Sequence, residues 1–311
     1  MENNKIVLLH WIGRFGNRMF QYAFGCCYAK QFNCTFYIPS SWEGTVLFTQ
    51  PEYCKIIPDD ELRLHINQSY ADESYRKTHF LKYKERTGDA VEYINFNNPS
   101  HIGKTNIAFD DLNCMYYKHC FKIYNNDIIK EIYTFNHVIL QSDIYKWFED
   151  RNNTYNVAHI RRGDISSNNF NGHHSMVSKE SYLTQIELLS LDNIVWVSDD
   201  NKEKTVNIWH NKSPGHKWSY PCGESQCKDI FFDFLPDFLL ILFARTIIRG
   251  NSSFSWWASY LSNAKVYSPV INVKPVEVKN KYYKMDTTFV EGNHPHFMGN
   301  ISEGEFNDII F

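Results

Sequence analysis

The chain has 311 residues, with 35 acidic against 32 basic side chains and a formal net charge of −3. That length accommodates two domains with separate cores, and the acidic balance excludes a global basic field for nucleic acid or an anionic membrane. No apolar run approaches the ~18 residues of a membrane span, and no secretory leader precedes Ile6, so a cytoplasmic protein without a transmembrane anchor is expected. Residues 5–10 predict a buried first strand, and 11–17, with Gly13 and Gly16, a turn. Residues 18–30 carry apolar side chains three and four apart, which predicts a helix. Strand, glycine turn and helix open a Rossmann-like unit, but the glycines do not fit GxGxxG, so nucleotide binding is not indicated there.

Residues 35–39 predict a second strand. Residues 41–126, less periodic and rich in Tyr, Asn, His and charge, are expected to be irregular insertions. The pairs Asp59-Asp60 and Asp110-Asp111 lack neighbouring ligands at a fixed spacing, so they read as turns rather than metal sites. Residues 128–149 look helical and lead to an expected boundary between domains 1–150 and 151–311. The second half repeats the alternation: strands at 156–160, 193–197 and 246–249, helices at 180–191, around 237–244 and at 254–263, and a last short strand ending at Pro269. The expected fold class is α/β, with two Rossmann-like domains facing a cleft.

Eight cysteines include no CxxC pair, so reduced, mostly buried thiols are expected, with one Cys222–Cys227 disulfide as the alternative. The surplus of 23 Phe, 20 Tyr and 8 Trp fits either large cores or stacking on sugars and bases.

Three polar edges follow strands in the second half: residues 159–164, 198–200 and 251–253. In a parallel sheet the carboxyl ends of strands share one rim, so the three can converge. Arg161 and Arg162 offer planar forks of donors that match phosphate oxygens bidentately. Ser252 and Ser253 precede a helix, whose free amides and dipole favour an anion. Alone, the serines would read as helix caps and the arginines as salt-bridge partners of Asp164 or Asp199. Together they point to a clamp on the diphosphate of a departing nucleotide.

Four segments carry a family resemblance: His159-Ile160-Arg161-Arg162-Gly163-Asp164, the stretch from Gly13-Arg14-Phe15-Gly16-Asn17 to Ala23, Ser198-Asp199-Asp200, and Asn251-Ser252-Ser253-Phe254-Ser255-Trp256-Trp257. In order and spacing, over about residues 5–270, they resemble the α1,2-fucosyltransferases of glycosyltransferase family 11. The resemblance implies a GT-B architecture and an inverting, metal-independent galactoside α1,2-fucosyltransferase. It implies GDP-β-L-fucose as donor, a galactose-containing glycan as acceptor, and no cofactor. It puts Arg161 and Ser253 on the β-phosphate, His159 against the nucleotide, Asp237 on the guanine edge, and Arg162, Asp199, Ser252 and Phe254 among the donor-binding residues. Asn17, with Arg14 as companion, would face fucose or acceptor. Arg18 stands where the family motif has glutamine, and Arg249-Gly250 is more polar than is usual before the serines.

The proton acceptor stays open. Asp164 suits the role by position, but an aspartate in a glycine turn can equally hold backbone or an arginine. His173 and His174 lie in a loop that would face the acceptor, with no third ligand to make a metal site. A loose path in which the departing phosphate takes the proton needs no side-chain base. Two rivals keep part of this reading: a GDP-sugar transferase with another sugar or linkage, and a non-catalytic carbohydrate- or nucleotide-binding pseudoenzyme.

Overall fold

The computed structural model describes residues 6–10, 13–59, 92–94, 100, 102–103, 107–110, 120, 122–162, 176–198, 232, 234–270, 284–285 and 287–294. The chain divides into two compact units, Met1–His137 and Val138–Ile310.

The first unit is built on a five-stranded parallel sheet of order β3-β2-β1-β5-β4: β1 Ile6–His10, β2 Thr35–Pro39, β3 Cys54–Ile57, β4 Glu92–Ile94 and β5 Ile107–Asp110. Helix α1, Phe15–Phe32, follows β1 and packs on β1 and β2. It starts three residues earlier than the glycine spacing predicts. Gly13 takes φ of 77°, a conformation costly for residues with a Cβ, and Gly16 joins the helix. Thirteen of its residues are buried, as expected of a helix that is apolar on most of its circumference. Asn33 closes it in the left-handed conformation and returns its N–H to Ala29. Helix α2, Gly44–Leu47, is a single turn.

The irregular insertion expected over 41–126 is corrected here: its described parts supply β3, β4 and β5 of the sheet. Periodicity missed them because they are three or four residues long, and edge strand β3 leaves Lys55 and Ile56 exposed, which blurs its apolar signal. The helix expected over 128–149 is three short ones, α3 Asn126–Ile132, α4 His137–Gln141 and α5 Asp143–Glu149. Asn125 caps α3 by accepting from the amides of Asp127 and Ile128, and Ser142 caps α5 through Tyr145 N–H. Between α3 and α4, Phe135 bridges Phe48.

The aromatic surplus packs the first unit. Tyr22, Trp42, Phe48 and Tyr133 are all at most 4% exposed, and the rings of Tyr22 and Trp42 lie 4.1 Å apart. Cys26, Cys27, Cys34, Cys54 and Cys120 are free thiols, and burial pushes those of Cys27 and Cys120 up to about 12. Cys222 and Cys227 lie outside the described residues. Asp59 acts as a turn acceptor, taking the Ser40 hydroxyl and the Ser41 amide; Asp60 and Asp111 lie outside the described residues.

The second unit contains β6 Asn156–Ile160, β7 Met176–Val177, α6 Lys179–Leu188, β8 Ile194–Ser198, α7 Leu235–Leu242, β9 Thr246–Ile248, α8 Ser253–Leu261, β10 Lys265–Pro269, β11 Lys284–Met285 and β12 Phe289–Glu291. Its main sheet has the order β12-β10-β9-β6-β8, parallel except for β12. The strand ending at Pro269 is therefore not the last: β12 adds an antiparallel edge beside it. β7 and β11 pair separately. Under the sheet, Ala158, Ile160, Val177, Tyr182, Ile248, Tyr267 and Phe289 form one apolar cluster. Among the described residues, no helix is long and apolar enough to cross a membrane.

Candidate functional site

The topology of the second sheet selects one crevice. From β6 the chain crosses to β8 on one side, and later returns to β9 on the other. Ligands of open α/β sheets bind outside the carboxyl ends of strands at such a reversal. The segments leaving those two ends are Arg161-Arg162 after β6 and residues 249–252 after β9.

Gly250 fixes how close they come. A Cβ built on it would lie 2.7 Å from the carbonyl oxygen of His159, 3.1 Å from that residue's Nδ1 and 3.3 Å from the amide nitrogen of Arg161. Only a residue without a side chain lets the β9 loop lie this close to the end of β6. The loop then turns into α8. Ser252 is its N-cap, extended at φ −152° and ψ 131°, and its Oγ accepts from Phe254 N–H at 3.3 Å. Ser253 is the first helical residue, where amides at a helix start lack intrahelical acceptors and favour an anion. Both serines are 5% exposed, and Asn251 is 2% exposed.

Ser252 thus has a structural duty. Ser252→Ala is expected to cost about 1 kcal/mol of stability, read as a lower urea midpoint, with little change in anion affinity. A loss of GDP binding as large as that caused by removing Arg161 would instead make its hydroxyl a ligand.

The two arginines separate. Arg162 is 7% exposed; its guanidinium donates to the carbonyls of Arg161 and Val177, each at 3.0 Å, and so ties β6 to β7. Two of its donors thus serve the fold. Arg161 is half-buried at the mouth of the crevice. His159 is 4% exposed, its ring 6.2 Å from that of Phe254, and its carbonyl accepts from Tyr182 hydroxyl at 2.9 Å. Burial raises the Tyr182 phenol well above its usual range, against the pull of Arg162 and Arg249. That phenol stays a proton donor and pins the end of β6.

Phe254 is half-buried and packs edge-on against Phe234 and Phe238, at 6.2 and 5.5 Å. Phe232 stacks on Phe234 at 5.4 Å. These rings bring the first turn of α7, with half-buried Asp237, to the same side as His159 and Phe254. So His159, Arg161, Ser252, Ser253 and Phe254 lie along one rim, with the turn of α7 that carries Asp237 packed beside Phe254 through Phe234 and Phe238, while Asp164 and Asp199 lie outside the described residues.

Sequence reasoning missed Gly250, Tyr182 and Arg249. Arg249 carried a signal, a charge wedged between apolar strand and glycine. It is 0% exposed and donates to Ser268 Oγ at 2.9 Å, to the Gly250 carbonyl at 3.4 Å and to the His294 carbonyl. Burial brings its pKa down to about 9, with Tyr182 opposing.

In the first unit the equivalent reversal lies between β1 and β5, where His10 is the register partner of Asp110. The loop leaving β1 carries exposed Arg14, and the first turn of α1 carries half-buried Asn17, whose side chain lies over Gly13: a Cβ on that glycine would meet Asn17 Cβ at 2.8 Å. Arg18 donates through one Nη to both carboxylate oxygens of Glu43, at 3.2 and 3.1 Å. Among the described residues, no group of three or more His, Cys, Asp or Glu side chains is placed to hold a metal ion.

No protein-family profile and no curated protein matches the sequence. Solved structures match the fold. A point variant of Arabidopsis thaliana FUT1 in complex with GDP gives a TM-score of 0.52 at 12% identity, over 89% of this chain and 71% of that one. NodZ α1,6-fucosyltransferase soaked with GDP-fucose gives 0.50 at 14% identity, over 92% and 98%. POFUT1 in complex with GDP gives 0.50 at 12% identity, over 86% and 99%. The chain therefore shares its fold with fucosyltransferases whose structures were determined with GDP or GDP-fucose.

Proposed function

We propose that this protein is an inverting, metal-independent glycosyltransferase that moves L-fucose from GDP-β-L-fucose to the 2-hydroxyl of a galactoside. In this reading the C-terminal domain, 151–311, holds the GDP-sugar and the N-terminal domain, 1–150, the acceptor, across a GT-B cleft. The observation that carries it is the packing of Gly250 on His159 and Arg161, which puts an arginine and the start of α8 on one rim. Arg161 and the Ser253 amide or hydroxyl bind the β-phosphate, and Asp237 the guanine edge. Phe254 and His159 wall the nucleotide. Charge developing on the leaving oxygen meets donors already in place, which is the largest catalytic term in such sites. Asn17 and Arg14 meet the fucose or acceptor, with Asp164 as the candidate base. The fucosyltransferase fold and the motif resemblance support the choice of donor.

The test is a panel of GDP- and UDP-sugars with galactoside acceptors, run with and without EDTA, and NMR of the product. The expected result is a 2-linked α-fucoside, formed from GDP-fucose alone and at the same rate in EDTA. Transfer of a different sugar, or a different linkage, would replace the donor or acceptor assignment. GDP binding with no transfer to any acceptor would make the protein a binding module.

A further inference from the structure

The reading above gives Arg249 no task, yet its burial is costly. Taking a guanidinium out of water carries an effective penalty of several kcal/mol unless good partners surround it, and this one is fully buried. Among the described residues its partners include oxygens from three separate segments: Gly250 in the loop, Ser268 on β10 and His294 after β12. Ser268 extends the knot by donating to the Gly292 carbonyl at 2.6 Å and accepting the His294 amide at 3.0 Å. Asn293, between them, donates to the carbonyl of Trp256 in α8 at 3.0 Å. The chain after β12 is thereby laced to both the loop and the helix that would hold an anion.

The Gly250 carbonyl shows what the knot does. It accepts from Arg249 at 3.4 Å, from the Ser252 amide at 2.9 Å and from the Ser255 hydroxyl at 3.4 Å. A carbonyl oxygen in an anion-binding loop repels its ligand unless its lone pairs are engaged elsewhere. Here the Ser252 amide and the Arg249 guanidinium engage them, the Ser255 hydroxyl being shared with the Ser252 carbonyl at 3.3 Å, and the guanidinium is a cation in a poorly screened setting.

Resting on the phosphate-site reading, we propose that Arg249 is a positioning residue of that site. It draws the Gly250 carbonyl away from the anion, sets the loop between Gly250 and Ser253 in register with Arg161, and adds buried positive charge behind it. The turn at Gly292–His294 braces it from the far side. Arg249 touches no phosphate itself and acts through Gly250.

Calorimetric titration of the whole protein with GDP and with guanosine separates this from a scaffold role. Arg249→Met should weaken GDP binding by about tenfold or more, through loss of the hold on Gly250 and of the buried charge behind the site, and leave guanosine affinity nearly unchanged. Arg249→Lys, which keeps the charge but not the three-way geometry, should recover part of the GDP affinity. Equal losses for both ligands, or no loss for either, would overturn the proposal. If Arg249→Met does not fold, as judged by circular dichroism, Arg249→Lys carries the same comparison: a loss confined to GDP supports the proposal, and an equal loss refutes it. Wild-type protein that binds no GDP would sink the phosphate site itself, a failure distinct from that of Arg249.

Discussion

Arg161→Ala is expected to lower turnover by about two to three orders of magnitude and to weaken GDP binding, while the protein stays folded. The contrast with its neighbour gives the prediction its force. Arg162 is anchored on two backbone carbonyls, so its removal should show first in stability. Arg161 is half-buried at the carboxyl end of β6, beside the loop that starts α8. In the proposed reaction a guanidinium there would face the charge that builds as a sugar–phosphate bond breaks, and no amide can replace its full positive charge. Steady-state kinetics with GDP-fucose, alongside a thermal melt, read both effects. Near-normal turnover from a folded Arg161→Ala protein would remove the clamp from the mechanism.

Gly250→Ala should do comparable damage by a different route. The added methyl would lie 2.7 Å from one backbone oxygen and 3.3 Å from a backbone nitrogen, and neither can rotate away as a side chain would. The strands must part, or the loop must lift. Overpacking of this kind typically costs about 1–3 kcal/mol, and a shift of about 1 Å between reacting groups can lower a rate about a hundredfold. The expected result is a lower melting temperature together with kcat/KM reduced by about two orders of magnitude. Wild-type stability and rate would mean that the rim tolerates separation, and that closeness of β6 and β9 is not what builds the site.

Much of this was legible in the sequence, and for identifiable reasons. The strands at 35–39 and 156–160 were expected at the bounds the structure gives them, because each holds apolar or aromatic side chains in a short stretch bounded by turn or polar residues. The helix after the serines begins one residue before its predicted start, since Ser252 and not Ser253 is the cap. The strands β3, β4 and β5 were not legible: at three or four residues they exist through pairing with neighbours, a tertiary effect that local periodicity does not carry. β12 was missed similarly, being three residues held by β10.

The site followed the same division. Arg161, Ser253 and Phe254 stand out in the sequence because charge, helix start and aromatic fall in short motifs, and the structure brings those motifs to neighbouring strand ends. The separation of Arg161 from Arg162 could not be found there, because it depends on where Val177 falls in space. Nor could the role of Tyr182, which reaches His159 across 23 residues of chain. Arg249 was visible as an oddity of composition, but its partners on β10 and after β12 come only with the sheet order.

In the proposed site one guanidinium and the amino end of one helix hold the same pyrophosphate. A crystal structure of the protein with GDP measures that directly. The β-phosphate is expected within about 3 Å of both the Arg161 guanidinium and the amide or hydroxyl of Ser253. A diphosphate bound away from either group, or GDP seated only in the first unit, would contradict it.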